Sequence, residues 1–372
     1  MRSDSAGLFY AVGLSDFGFF FATLLDTAKA EYAIQIVAED LDFPWSVAFL
    51  PDRDYLVAMR TGEVRRISTA DGTGPPLKGL PESYVLGQGG YFDIAVDPDF
   101  TNNQFVYLAL AHGTPQLNGT RVVKGRLVGS SVKNIQIIFD VTPQKDTPLH
   151  YGGKLLFLRD GTLMLTTGDG FEYREAAQDP FNLMGKIIRI NSDGSIPPDN
   201  PFVISQNGHP AVWSYGHRNP QGLAQDSATG KILMHEHGAK GGDELNLVKP
   251  GLNYGWPAVT RGVNYSGAYI SPLRSALGIE DPLHFWVPSI APSGLTIYRG
   301  EAFPQWDGRL LVGALVNKEV RKLTLQDGKI IEETVLFSEL GERIRDVRSG
   351  PNGFVYLLTD SDKGKLIRVV PE

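Results

Sequence analysis

The chain has 372 residues, enough to bury a large core either as one all-β domain or as two ordinary ones. Its net charge of −7 and its lack of basic runs argue against nucleic acid as a partner, and the absence of cysteine excludes disulfides and thiolate metal sites. With 42% hydrophobic and 21% charged residues, 42 glycines and 24 prolines, the composition is that of a turn-rich globular protein.

Residues 1–30 stand apart. Arg2 precedes an apolar run from Ala6 to Leu25, and Ala28-Lys29-Ala30 has the small-x-small spacing of a signal-peptidase site. The segment is predicted to be a secretory signal peptide cleaved after Ala30, leaving a periplasmic or secreted protein with no stable membrane association. An uncleaved anchor and a disordered leader are the competing readings, kept open by Asp16 inside the apolar run.

Residues 31–372 read as a single domain built on one recurring pattern. FPWSVAFLPDRDYLVAMRTGEVRRIS (43–68) alternates apolar and polar residues between turns at Pro51–Asp54 and Thr61–Gly62, which spells strand, turn, strand, turn, strand. The same grammar returns at 89–113 with a further strand at Val132–Phe139, and at 152–170 closing with 185–191. It returns again at 219–238 closing with 244–249, at 293–325 and at 345–370. Six short-stranded repeats predict an all-β fold, a six-bladed β-propeller of four-stranded antiparallel blades, which leaves only short, protected sheet edges. Asp97, Asp99, Asp160 and Asp307 fit its turns. Pro197–Pro201 and the region from Thr260 to Trp286 are predicted as long loops on one face, building the site around the central channel.

Equivalent positions in a radial repeat face one axis. Polar groups flanking the inner strands are therefore expected to converge: Gln88, His150, Arg218 with Asn219, Ser293, and Arg343 with Arg345. Asp169, at the end of the second strand of the third repeat, is expected beside His150. The densest polar stretch, 213–257, sets Arg218, Asn219, Gln221, Asp243 and Glu244 among eight glycines. Residues without a Cβ let the backbone approach a ligand or a metal closely.

Six motifs carry a resemblance: His150-Tyr-Gly-Gly-Lys154, Thr167-Gly-Asp169-Gly, Gly216-His-Arg218-Asn219-Pro-Gln-Gly222, Gly242-Asp-Glu244, Asn253-Tyr-Gly-Trp-Pro257 and Arg343-Ile-Arg345-Asp346. Together they resemble the soluble PQQ-dependent glucose/sorbosone (aldose sugar) dehydrogenase family, from Leu41 to Val370. The resemblance implies a six-bladed propeller with pyrroloquinoline quinone (PQQ) over the channel and Ca²⁺ bound to the cofactor. It implies that His150 is the general base at the C1 hydroxyl of an aldose substrate, oriented by Asp169, as hydride passes to the quinone. Arg218, with Asn219 and Gln88 alongside, would stabilise charge developing on the quinone oxygen, and Arg343 and Arg345 would pair with the cofactor carboxylates. The carbonyls of Gly238 and Ala239 would hold the cofactor calcium, while Glu244 and Tyr254 would belong to a second, structural one. The product would be a lactone, and the electrons would go to a cytochrome, a quinone or an artificial dye; a monomer and a homodimer both suit the sequence.

The chain departs from the family pattern at three places. Ala239 replaces a proline, Lys154 stands where arginine is frequent, and Val316 replaces a lysine for which Lys318, two residues on, is the expected substitute. Plainer readings exist: a solvated acidic turn for Asp243-Glu244, surface salt bridges for Arg343 and Arg345, and a cross-blade bond for His217. His235 and His237 share a strand face like a transition-metal pair, but no third nitrogen ligand is near in sequence. Two other functions compete, a calcium-dependent propeller lactonase or hydrolase and a non-enzymatic ligand-binding propeller. The first would need carboxylates and amides around an axial metal, whereas the axial groups here are mostly cationic.

Overall fold

The alternating run that begins at Pro44 folds as a meander of Pro44–Phe49, Tyr55–Met59, Glu63–Ser68 and Gly72–Pro76, each strand antiparallel to the last. The computed structural model describes residues 32–372, so the predicted signal peptide lies outside the described residues. Four further meanders follow in chain order. Blade two is Tyr91–Val96, Phe105–Gly113, Asn118–Val128 and Ser131–Asp140. Blade three is Gly152–Phe157, Leu163–Thr167, Lys186–Ile190 and Val212–Tyr215. Blade four is Pro220–Gln225, Ile232–Glu236, Asp243–Val248 and His284–Trp286. Blade five is Pro292–Ile297, Leu310–Ala314, Glu319–Gln326 and Lys329–Leu336.

Blade six is composite. Ile344–Ser349, Val355–Thr359 and Gly364–Pro371 form its three inner strands, and its outer strand is Tyr32–Leu41 from the other end of the chain. The pairing runs from Tyr32 opposite Pro371 to Leu41 opposite Gly364 and closes the ring. The described residues thus form six four-stranded sheets, the expected all-β propeller. The helices are short pieces in connections, Phe100–Asn103 and Pro201–Ser205.

The core lies between blades, because the second strands are buried on both faces. Phe92, Tyr107 and Ala109 of blade two pack on Leu155, Leu163 and Ile188 of blade three, and similar layers fill the other gaps. On the axis the inner strands carry charge instead. Lys154 Nζ lies 2.9 Å from Asp346 and 3.6 Å from Asp93, while Arg348 reaches Asp93 at 2.7 Å and Asp346 at 2.8 Å. Two cations and two anions from blades two, three and six thus close a neutral ring, and the lysine at 154 is part of it. Lone charges in so buried a place would cost several kcal/mol each.

Antiparallel meanders put first-to-second and third-to-fourth turns at one end of the ring, and the other turns and blade crossings at the opposite end. Pro197–Pro201 therefore sits at the end away from His150, where Arg189 holds both Asp160 and Asp199 at 2.8 and 2.9 Å. This corrects the expectation that it helps build the site. The region from Thr260 to Trp286 also belongs to a third-to-fourth connection, but that connection climbs back along the blade. Trp256 reaches Asp169, and Lys240 bridges to Val263. Its last residues, His284–Trp286, are a strand rather than a loop.

Candidate active site

Where the inner strands begin, a cavity of about 310 Å³ opens on the axis, and every blade contributes to its wall. Its aromatic side is a row of mutually tilted rings, Trp45 to Phe92 at 5.8 Å and Phe92 to Tyr151 at 5.4 Å between ring centres. Gln88, Asn219 and Gln221 supply amides. Arg60, Arg343 and Arg345 supply three cations against one carboxylate, Asp360, which both Arg343 and Arg345 engage, at 3.0 and 3.1 Å.

Gln88 and Asn219 turn inward to hold blade three. Gln88 Oε1 accepts the backbone N–H of His150 at 2.8 Å, and Asn219 Oδ1 accepts that of Gly152 at 3.1 Å. His150 sits beside the cavity wall formed by Tyr151 and Gly152, with a backbone φ of 51° in the left-handed region. Its Nδ1 lies 2.7 Å from Asp169 Oδ1. Asp169 also accepts the N–H of Phe171 at 2.8 Å and the indole N–H of Trp256 at 2.7 Å. Burial opposes its ionisation, but the bond and charge of His150 and the Arg218 charge outweigh it and hold the carboxyl below the usual range. Burial, aided by the Arg218 charge, lowers the proton affinity of His150 despite Asp169. An ionised Asp169 only accepts, so the Nδ1 proton is donated to it and Nε2 keeps its lone pair. That is the tautomer a general base requires.

Arg218, expected among the groups facing the axis, does not line the axial cavity and stands instead on a small neighbouring void with Glu236, Gly238 and Glu244. Its Nη1 donates to the Gly238 carbonyl and, at 3.2 Å, to that of His237, and its guanidinium stacks over Trp256 at 5.2 Å. The turn Gly238–Gly242 is wound tightly enough that a Cβ at 238 would come within 2.3 Å of Gly241 O, so glycine is required there. Ala239 is buried against Ala177 and Trp256. Glu244 faces Glu236 across two strands, and burial first, then the Glu236 charge, pushes its carboxyl up to about 8. Among the described residues its ion-pair partner is Arg261, at 3.5 Å. The Tyr254 hydroxyl is committed to the backbone, donating to Leu247 O at 2.6 Å and accepting from Lys249 N at 2.8 Å.

Three expectations resolve differently. Lys318 lies outside the axial cavity, on a neighbouring pocket with Glu39, Asp40 and Glu342 that shares Arg343 and Asp360. Ser293 bridges blades, donating to Ile344 O at 2.6 Å. His235 and His237 engage blade five through Gly294 O and Pro292 O, at 3.2 and 2.7 Å. His237 nevertheless lines the cavity, as do Arg60 and Asp360; the sequence offered His237 only as half of a metal pair and did not single out the other two. All three stand in turns between second and third strands. The equivalent place in blade three is the one that supplies Asp169, and that equivalence is the signal that finds them.

The glucose/sorbosone dehydrogenase family model matches residues 41–368. The chain belongs to the glucose/sorbosone dehydrogenase family. Among family members, aldose sugar dehydrogenase YliI of Escherichia coli (strain K12) is 38% identical over 356 residues, covering 94% of this chain and 96% of that one. A crystal structure of a glucose dehydrogenase superposes with a TM-score of 0.88 at 43% identity, covering 90% of this chain and 99% of the other. The PQQ-bound aldose sugar dehydrogenase of Streptomyces coelicolor superposes with a TM-score of 0.74 at 27% identity, covering 92% and 99%.

Two groups implied by the family can be tested against these residues. A flat polyanion such as PQQ fits the cavity, which offers an aromatic face and three arginines against one carboxylate. Among the described residues no cluster of three or more His, Asp or Glu is grouped for a metal, so calcium rests on carbonyls and on the Glu244 region. At Gly238 the Arg218 guanidinium already donates to the carbonyl, so an ion held there would share that oxygen with it. Around Glu244 the donors are of the right kind: Glu244 and Glu236 are buried carboxylates beside a void of about 10 Å³, with Arg261 3.5 Å from the first and His217 Nδ1 3.1 Å from the second.

Proposed function

We propose that the protein oxidises the C1 hydroxyl of aldose sugars to lactones, with PQQ as cofactor and His150 as general base. The observation that carries this is the His150–Asp169 pair, with Nε2 free, beside an arginine-lined axial cavity in a chain of this family. When bound, PQQ supplies a two-electron acceptor for the hydrogen on the sugar carbon. Arg60, Arg343 and Arg345 hold its carboxylates, and the forked geometry of arginine suits that task. His150 Nε2 takes the hydroxyl proton, and the Asp169 charge stabilises the imidazolium that results. Gln88 and Asn219 fix the backbone on either side of His150, so the base cannot drift from the cavity.

The test is reconstitution of the purified apo-protein with PQQ and Ca²⁺, followed by dye-linked oxidation of glucose and other aldoses. Turnover is expected, and cofactor that no aldose reduces would sink the reading. His150→Ala should cost about 10²–10⁴-fold in kcat while cofactor binding persists.

Calcium enters the proposal at Glu244, with Tyr254 and Glu236. Ca²⁺ should raise the melting temperature of the apo-protein, and Glu244→Gln should abolish that rise; an unchanged rise in the variant would place the ion elsewhere. The reading includes export, with residues 1–30 removed, and N-terminal sequencing of the exported protein checks cleavage after Ala30.

A further inference from the structure

Lys145 is a buried cation that no carboxylate pairs with among the described residues. It lies five residues before His150 in the crossing from blade two to blade three, tied to Asn118 by backbone bonds of 2.8 Å in both directions. Its side chain turns in behind the His150–Asp169 pair. The Nζ donates to Asn118 Oδ1 at 3.2 Å and to the Thr147 carbonyl, and stands 3.5 Å over the centre of the Tyr151 ring.

The stem is just as constrained. It passes over Gly170, where a Cβ would stand 2.7 Å from Lys145 Cδ and where φ is 72°, so only glycine leaves room for it. Gly170 directly follows Asp169 and donates to the His150 carbonyl at 3.3 Å, while Thr147 Oγ1 donates to Gly170 O at 2.5 Å. Lys145, His150, Tyr151 and Gly168 all wall one void of about 10 Å³, separate from the axial cavity but sharing Tyr151 with it.

We propose that Lys145 is a positioning residue for the His150–Asp169 pair: its ammonium, caged between the Tyr151 ring and the Asp169–Gly170 turn, braces the turn that carries Asp169 and sets a positive charge behind the imidazole. The inference rests on the reading of His150 as the base. The charged and titratable groups around the cage are the carboxylates Asp169 and Asp146, the phenols Tyr151 and Tyr173, and the bases His150 and Arg218. Tyr173 binds Asp146 at 2.7 Å. Burial brings the Lys145 ammonium down to about 7 against the pull of Asp169 and Asp146, and its charge is among those that depress His150. A proton on either group therefore disfavours a proton on the other.

The sign follows. Removing the Lys145 charge raises the proton affinity of His150, so the imidazole titrates at higher pH and the acid limb of the rate profile moves up with it. The experiment is NMR titration of the His150 ring in the apo-protein, its resonance identified by its loss in His150→Ala. Lys145→Met should move the midpoint up, and Lys145→Arg, which keeps a cation, should leave it in place. Asn118→Asp keeps the lysine and sets an anion against its Nζ, so it should also move the midpoint up even if Lys145→Met does not fold. A midpoint unmoved in both charge-cancelling variants, or moved equally by Lys145→Arg, overturns the proposal. In the PQQ-loaded enzyme the acid limb of kcat/KM should shift in Lys145→Met and recover in Lys145→Arg. A shifted titration in a protein that oxidises no sugar would refute the proposed function and leave the cage standing; sugar oxidation with an unshifted titration would refute the cage alone.

Discussion

Asp169 accepts three hydrogen bonds with two oxygens, from His150, Phe171 and Trp256. Asp169→Asn keeps the size but sets an amide N–H against one of those donors in either orientation, and it removes the charge that steadies a protonated His150. The variant should lose about 10²–10⁴-fold in kcat with cofactor affinity little changed, read by steady-state rates beside a PQQ titration. An unimpaired rate would show that His150 needs no orienter. This pair was legible in the sequence because each residue stands in one of the motifs that carry the family resemblance, His150-Tyr-Gly-Gly-Lys154 and Thr167-Gly-Asp169-Gly. Arg60 and Asp360 occupy turns equivalent to that of Asp169 but belong to none of those motifs, so no motif in the sequence marked them. Lys318 shows a different limit: at φ 58° its side chain leaves the line that alternation sets and lands on the neighbouring pocket. Arg218 was expected on the axis, and no pattern of residues shows that its guanidinium turns to the Gly238 carbonyl instead.

At the scale of elements, the inner strands were readable and, Ser131–Asp140 apart, the outer ones were not. Gly72–Pro76 is exposed and rich in glycine and proline, and His284–Trp286 is three residues long. Outer strands have one wet face and little apolar alternation, so they carry a weak signal. The long third strand of blade two, Asn118–Val128, was passed over for the fourth, Ser131–Asp140. Tyr32–Leu41 is the extreme case, since its partner is more than three hundred residues away and no local signal can name it. Deleting residues 32–41 would leave Gly364–Pro371 an unpaired edge and uncover the apolar layer beneath it. The shortened protein should lose its cooperative melting transition and aggregate, and a peptide of sequence Tyr32–Leu41 added in trans should restore the transition. Circular dichroism and gel filtration read both, and a stable, monomeric shortened protein would show that the ring closes without this strand.

For the molecule as a whole, polar groups between blades set the pH range in which the ring stays shut. His235 is fully buried between blades four and five, and burial draws its pKa down to about 3. Unfolded, it would titrate near its ordinary value of about 6.5. Above that value neither state binds the proton. As pH falls from about 6.5 toward 3 only the unfolded chain binds it, so stability falls by about 1.4 kcal/mol per pH unit for this one group. His235→Asn should start less stable at pH 7 but lose stability more slowly on acidification, measured by urea midpoints between pH 7 and pH 4. Equal slopes would mean that other groups govern acid unfolding. The net architecture was readable at this scale because six copies of one grammar admit few closed arrangements. The charge ring on the axis was not, because it joins Asp93, Lys154, Asp346 and Arg348 from three separate repeats.

The meeting of Tyr32 with Pro371 in one ladder has a further meaning. Paired strand residues lie about 5 Å apart, so the two ends of the described chain could be joined by a short linker without moving a blade. The exposed Asp327–Gly328 hairpin, at the end of the ring away from the cavity, could be opened in exchange. Gene order and blade order are thus independent: the propeller is a circle that one particular cut happens to write as a line, and circular permutants should rebuild the same cavity.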